Sequence, residues 1–105
     1  MAGRLVTFLE ALPRLSERQF QAQVLRYAAL RGWHAYHTLR SDGSSAGFPD
    51  LVLVRRPRVI FAELKSDRGR CTPEQRAWLA ELAECSVEVK LWRPSDWEEI
   101  ERCLR

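Results

Sequence analysis

The sequence predicts one α/β domain, with elements in the order α-β-β-β-α-β-α and a sheet flanked by helices. Three observations predict it. Ser16-x-x-Gln19 and Thr72-x-x-Gln75 are capping patterns that each open a helical run. DLVLV (50–54), VIFAELK (59–65) and VEVKLW (87–92) are short apolar runs of strand length. The 105 residues, 46% of them apolar, suffice for one core and leave little room for a second.

Residues 1–15 read as an N-terminal extension and 16–105 as the domain. The first helix starts at Ser16 and closes at Gly32; Phe20, Val24 and Ala28 repeat at helical spacing, and Glu17 and Gln21 share another face. WHAYHTL (33–39) reads as a strand, RSDGSSAGFP (40–49) as a polar loop, DLVLV as the second strand and RRPR (55–58) as a basic turn. VIFAELK is the third strand and SDRGR (66–70) a second loop. The next helix has Pro73 in its first turn and runs to about Glu84. VEVKLW is the last strand, and a final helix starts at Ser95 with Glu98 three residues on. Trp33, Trp78, Trp92 and Trp97 fall at positions that suit core packing better than base stacking.

Charge is unevenly distributed. Residues 1–70 hold 12 basic and 6 acidic side chains, and residues 71–105 hold 5 and 8. The first two thirds therefore suit a polyanion while the last third faces water. Arginine supplies 15 of the 17 cations, which fits phosphate binding through its fork and equally fits a GC-rich genome. Cys71, Cys85 and Cys103 are odd in number and form no CxxC, which argues against a disulfide framework or a structural zinc site. Reduced thiols in a cytoplasm are expected. No apolar stretch reaches membrane-spanning length, and residues 5–15 lack a signal-peptide cleavage pattern.

The chemistry is concentrated in the hairpin expected from 50–54 and 59–65. Side chains alternate along a strand, so Glu63 and Lys65 share a face with Leu64 opposite. Asp50 starts the partner strand, and an antiparallel pairing sets it beside the end of the next one. Two close carboxylates repel unless a cation joins them. Their hard oxygens suit Mg²⁺ or Mn²⁺, with the Leu64 carbonyl as an extra ligand. Lys65 is placed to orient an attacking water or to steady negative charge on phosphorus. His34 and His37 lie on opposite faces of their strand, with His37 either structural or near the cleft.

Gly47-Phe48-Pro49-Asp50, then twelve residues, then Glu63-Leu64-Lys65 resembles the PD-(D/E)XK nuclease signature. GFPDLVLV, FAELK, and TPEQRAWLAEL followed by VEVKLWRPSDW are similar to the VRR-NUC domain (virus-type replication-repair nuclease), over about residues 16–100. The resemblance implies a restriction-endonuclease-like αβββαβ core with a mixed central sheet flanked by helices, plus an extra C-terminal helix. It also implies an acidic metal ligand on the first helix, matched by Glu17 with Gln21 as the alternative, and an active-site role for Gln75, which the residues alone read as a capping group. A phage or prophage origin is implied in the same way. Cys85-Ser86 departs from the pattern, where such proteins often place a glycine.

These readings together predict a metal-dependent, structure-selective DNA endonuclease. Asp50, Glu63, Lys65 and Gln75 form its catalytic set, and Glu17, Asp50, Glu63 and Leu64 its metal set. Arg40, Ser44, Arg55, Arg56, Arg68 and Arg70 are expected at the DNA, through phosphate contacts that give affinity without sequence reading; a solvated turn is the other reading of 55–58. No sequence-reading module is recognisable, which favours branched DNA, including four-way junctions. The small size and apolar segment 5–12 motivate a homodimer. The rival readings are a non-catalytic nucleic-acid-binding module and a nuclease subunit that needs a partner. No small-molecule cofactor is expected.

Overall fold

A computed structural model describes residues 14–38 and 43–105. Helix α1 (Glu17–Leu30) is followed by strands β1 (His34–His37), β2 (Leu51–Arg55) and β3 (Arg58–Leu64), helix α2 (Pro73–Ala83), strand β4 (Glu88–Trp92), a 3₁₀ turn (Pro94–Asp96) and helix α3 (Trp97–Leu104). The four strands form one mixed sheet in the order β1-β2-β3-β4. The β1–β2 and β2–β3 pairs are antiparallel and the β3–β4 pair is parallel. The α/β class, element order and mixed sheet agree with the sequence reading.

Both capping boxes form. The Ser16 hydroxyl accepts from Gln19 N and the Gln19 carbonyl oxygen from Ser16 N; Thr72 and Gln75 make the same reciprocal pair. Gly32 follows α1 at φ +82°, where a side chain would be strained. The last helix differs from expectation. Asp96, rather than Glu98, reaches back, its Oδ2 accepting from Arg93 N, and a 3₁₀ turn occupies the position expected to open the helix at Ser95. Pro94 favours that tight turn because it lacks a donor and has a fixed φ.

The two sheet faces differ in kind. Phe20, Val24 and Ala28 of α1 pack with Leu51, Leu53, Ile60, Ala62 and Leu64, joined by Trp33, Trp92 and α3 residues Ile100 and Leu104. Alternation along β3 turns Phe61 and Glu63 to the opposite face. There Phe48 stacks edge-on against Phe61 and Trp78, with centroid separations of 6.0 and 5.1 Å, which ties the 43–50 loop to α2. Helix α2 buries none of its residues, and Trp78 is half-buried rather than a core residue, a correction to the sequence reading.

The turn end of the β2–β3 hairpin is tied to α3. Arg55 donates from Nη1 to the Arg31 and Leu104 carbonyls at 2.7 and 3.2 Å, and from Nη2 to the Arg105 carbonyl at 3.0 Å. Its guanidinium lies over the Trp33 ring at 4.5 Å, with that of Arg58 at 5.0 Å. Arg58 also forks onto Glu88, with both N···O distances 2.7 Å. The Arg55 guanidinium, expected to grip phosphate, is engaged here by the carbonyls of Arg31, Leu104 and Arg105. Arg56 is exposed at this same turn, away from the Asp50 end of the hairpin.

Arg55→Ala should lower stability by about 1–3 kcal/mol, because it removes charge-assisted hydrogen bonds and leaves carbonyls to find other donors. Urea unfolding followed by tryptophan fluorescence measures this; a midpoint within error of wild type would contradict the structural role.

Candidate active site

The β2–β3 register sets Leu51 opposite Ala62, so one step further Asp50 and Glu63 come side by side at the sheet end. Asp50 Oδ2 accepts from Leu64 N at 2.8 Å, which anchors this carboxylate on the backbone between Glu63 and Lys65. Lys65 Nζ stands 3.5 Å from Glu63 Oε2. Lys65 is itself held through its N–H to the Trp92 carbonyl at 3.0 Å. Asp50, Glu63 and Lys65, separated by up to 15 positions, are therefore brought together.

Glu63 is 1% exposed and Lys65 8%. Among the described residues neither carboxylate oxygen of Glu63 has a hydrogen-bonding partner. Burial first, and the Asp50 charge second, push the Glu63 pKa up from 4.5 to about 7, against the opposing effect of Lys65. A buried carboxyl that accepts no hydrogen bond, next to a second carboxylate, is a costly arrangement that the single Lys65 ammonium at 3.5 Å only partly offsets. These hard oxygen donors fit a divalent ion such as Mg²⁺ or Mn²⁺, with Asp50 and Glu63 as its side-chain ligands and the Leu64 carbonyl adjoining them.

Glu17 is exposed, and among the described residues no group of three His, Cys, Asp or Glu side chains assembles. Helix α1 packs on the Ile60, Ala62 and Leu64 face, whereas Glu63 projects from the other. Gln21 is half-buried on the same helix. Gln75 spends its carbonyl oxygen on Thr72 N, so the capping reading describes its side chain. His37 is half-buried at the end of β1, its Nδ1 without a partner among the described residues.

The expected DNA-contacting residues separate into groups. Ser44 lines a cavity beside β1, and Arg70 lines a groove with Arg76 and Arg93 over Leu79 and Leu91. Arg68 is exposed in the loop after Lys65. Arg40 lies outside the described residues. Sequence reasoning missed Arg93. Its Nη1 donates to the Ser66 and Gly69 carbonyls at 2.6 and 2.7 Å, fastening the loop that follows Lys65. Asp67 Oδ1 adds a bond from Ser95 N. The only sequence signal was the position of Arg93 directly after the last strand.

The VRR-NUC domain model matches residues 9–96. The chain belongs to the VRR-NUC family. A solved structure described as a VRR_NUC domain protein superposes with a TM-score of 0.64 at 20% identity, covering 80% of this chain and 82% of that one. A search of curated proteins finds no match. The VRR-NUC assignment and this likeness establish a nuclease-type fold, and Asp50, Glu63 and Lys65 stand at one end of its sheet.

Gly47 explains part of the local geometry of this VRR-NUC site. Its φ is +91°, and an added Cβ would stand 2.5 Å from the Glu74 backbone carbon. Only glycine lets the loop leading to Pro49 and Asp50 lie against the first turn of α2.

Two expectations follow. Gly47→Ala should destabilise the protein by about 1–3 kcal/mol, since backbone rather than a flexible side chain blocks the added methyl; an unchanged thermal midpoint would refute the close approach. Glu63 predicts a pH effect whose sign follows from its raised pKa. Between pH 4.5 and about 7 the folded chain holds a proton that the unfolded chain has released. Metal-free stability should therefore fall as pH rises through that window and level off above it. Glu63→Gln should flatten this dependence and raise the metal-free melting temperature at pH 7.5 by about 4 °C or more. Melting curves in EDTA decide the matter, and an unaltered pH profile in the variant would count against the buried-charge account.

Proposed function

We propose that this protein is a Mg²⁺- or Mn²⁺-dependent, structure-selective DNA endonuclease that hydrolyses phosphodiester bonds. The observation that carries the proposal is Glu63, buried beside Asp50 and Lys65 with neither carboxylate oxygen accepting a hydrogen bond among the described residues. Asp50 and Glu63 hold the cation, with the Leu64 carbonyl as a backbone ligand. The bound ion supplies a polarised phosphoryl oxygen and a water of lowered pKa. The hydrogen bond from Leu64 N fixes Asp50, so this carboxylate enters the reaction already oriented. Lys65 keeps its ammonium near the water to be activated and offsets negative charge that grows at phosphorus. The Arg70, Arg76 and Arg93 groove offers phosphates a cationic track beside the site. Branched DNA, with four-way junctions among the substrates, is the proposed target, because no element of the fold is a recognised base-reading module. A homodimer built through segment 5–12, outside the described residues, would present two sites to such a branch.

Labelled four-way junction, flap, single-stranded and linear duplex DNA, each incubated with Mg²⁺, Mn²⁺ or EDTA, test this proposal. Cleavage should require metal, favour branched DNA, and fall about a hundredfold or more in Lys65→Ala while DNA binding persists. Equal cutting by that variant would remove Lys65 from the mechanism. Folded protein that binds but never cuts would favour the non-catalytic module, and cutting rescued by a partner would favour the subunit reading. Sedimentation at cleavage-competent concentration tests the homodimer; a strictly monomeric mass would exclude it.

A further inference from the structure

The face of the sheet that bears Glu63 also bears a cavity of about 320 Å³, enclosed by β1, the 43–48 loop and α2. Its walls include Tyr36 from β1 and Thr38 just after it, Ser44, Ser45 and Phe48 from the loop, and Trp78 from α2. Three features of these walls belong together. The first is aromatic surface: Tyr36 is 62% exposed, a large amount for a ring that no packing role explains. Phe48 and Trp78 are held rigid against each other, and the Trp78 indole is fixed by its Nε1 donation to the Ala46 carbonyl at 3.1 Å. The second is a set of three hydroxyls, each able to donate or accept. The third is the lack of any cation among the described lining residues, in contrast with the arginine-lined groove on the other flank of α2. Rigid aromatics with adaptable hydroxyls suit a flat polar ring.

Position strengthens the point. Thr38 N donates to the Asp50 carbonyl at 3.2 Å, so β1 pairs with the segment that bears the candidate metal ligand. Tyr36 pairs with Val52, which pairs with Phe61, one pleat from the row that holds Thr38, Asp50 and Glu63. That offset is about 6.7 Å along the strand. A base held against Tyr36 therefore belongs to a nucleotide close to the phosphate at the carboxylates. A base paired inside a duplex is stacked above and below and cannot enter such a recess.

We propose that this cavity is a nucleobase subsite, which takes one unpaired base of the nucleic-acid substrate, stacked on Tyr36, beside the Asp50, Glu63 and Lys65 cluster. The inference rests on the nuclease reading and narrows it: the preferred substrate has an unpaired nucleotide next to the cleaved bond. Base identity matters little, because every base offers a ring face and the hydroxyls serve either donor or acceptor edges. Selectivity for branched or single-stranded DNA then arises from this recess, without a separate recognition module.

The test is a binding measurement in EDTA, where no cleavage occurs, using the full chain and flap DNA with 2-aminopurine as the one unpaired nucleotide at the branch. Wild type should alter the 2-aminopurine fluorescence on binding. It should also bind at least about fivefold more weakly when that nucleotide is abasic. Tyr36→Ala should lose the fluorescence change and bind the 2-aminopurine DNA at least about fivefold more weakly. It should make no further distinction between base and abasic site, while Tyr36→Phe behaves as wild type. Tyr36 is exposed, so a melting temperature near that of wild type is expected for both variants and is measured alongside. Equal affinity of wild type for base and abasic DNA, an unaffected Tyr36→Ala, or the absence of any binding would overturn the subsite. Failure of the nuclease reading gives a different result: no metal-dependent cutting by wild type, whatever the 2-aminopurine signal.

Discussion

The register of β2 against β3 is the constraint on which the rest of the site depends, because pairing Leu51 with Ala62 is what sets Asp50 next to Glu63. A slip of one residue would exchange the faces of β3, turning Glu63 into the layer under α1 and Ile60, Ala62 and Leu64 out of it. The burial of those three side chains with Phe20 and Val24 opposes any such slip. Core packing on one face thus determines charge placement on the other. The hydrogen bond from Leu64 N to Asp50 then adds a local tie across the same pair of strands.

The two ends of the hairpin serve different ends. At the turn, Arg55 and Arg58 cover Trp33 and bind carbonyls of α3, so cations there are consumed in holding the chain together. At the open end, Glu63 is left with both oxygens free of hydrogen bonds among the described residues, and its carboxyl is driven toward neutrality at pH 7. An arrangement that costs folding energy in one place is sustained by well-satisfied contacts in another. Arg93 belongs between these classes. It commits Nη1 to two backbone carbonyls, yet the loop it holds is the one that leads away from Lys65 toward α2.

Helix α2 has an unusual position for an element so clearly marked by its cap. It buries no residue, but its first turn meets Gly47 and its Trp78 meets Phe48. The helix therefore acts as a shelf for the loop that delivers Asp50, with a cavity on one flank and a basic groove on the other. Its polar exterior and shallow burial leave both recesses open to a ligand as large as a nucleic acid.

Much of the molecule was legible by eye in the chain. Ser16 and Thr72 with their glutamines marked both helix starts, and the alternation in VIFAELK placed Glu63 and Lys65 on one face, because capping and pleating are local effects with short sequence periods. The motif around Asp50, Glu63 and Lys65 was readable for the same reason, once two adjacent strands were assumed to form a hairpin. Residue type alone could not assign Arg55, Arg70 and Arg93 to different tasks, since the same guanidinium serves a carbonyl, a ring or a phosphate according to what lies within reach. Nor could it tell which face of the sheet α1 covers, and that choice leaves Glu63 on the face opposite the α1 core. Contacts between residues distant in sequence depend on how the layers stack, and only the tertiary structure decides them.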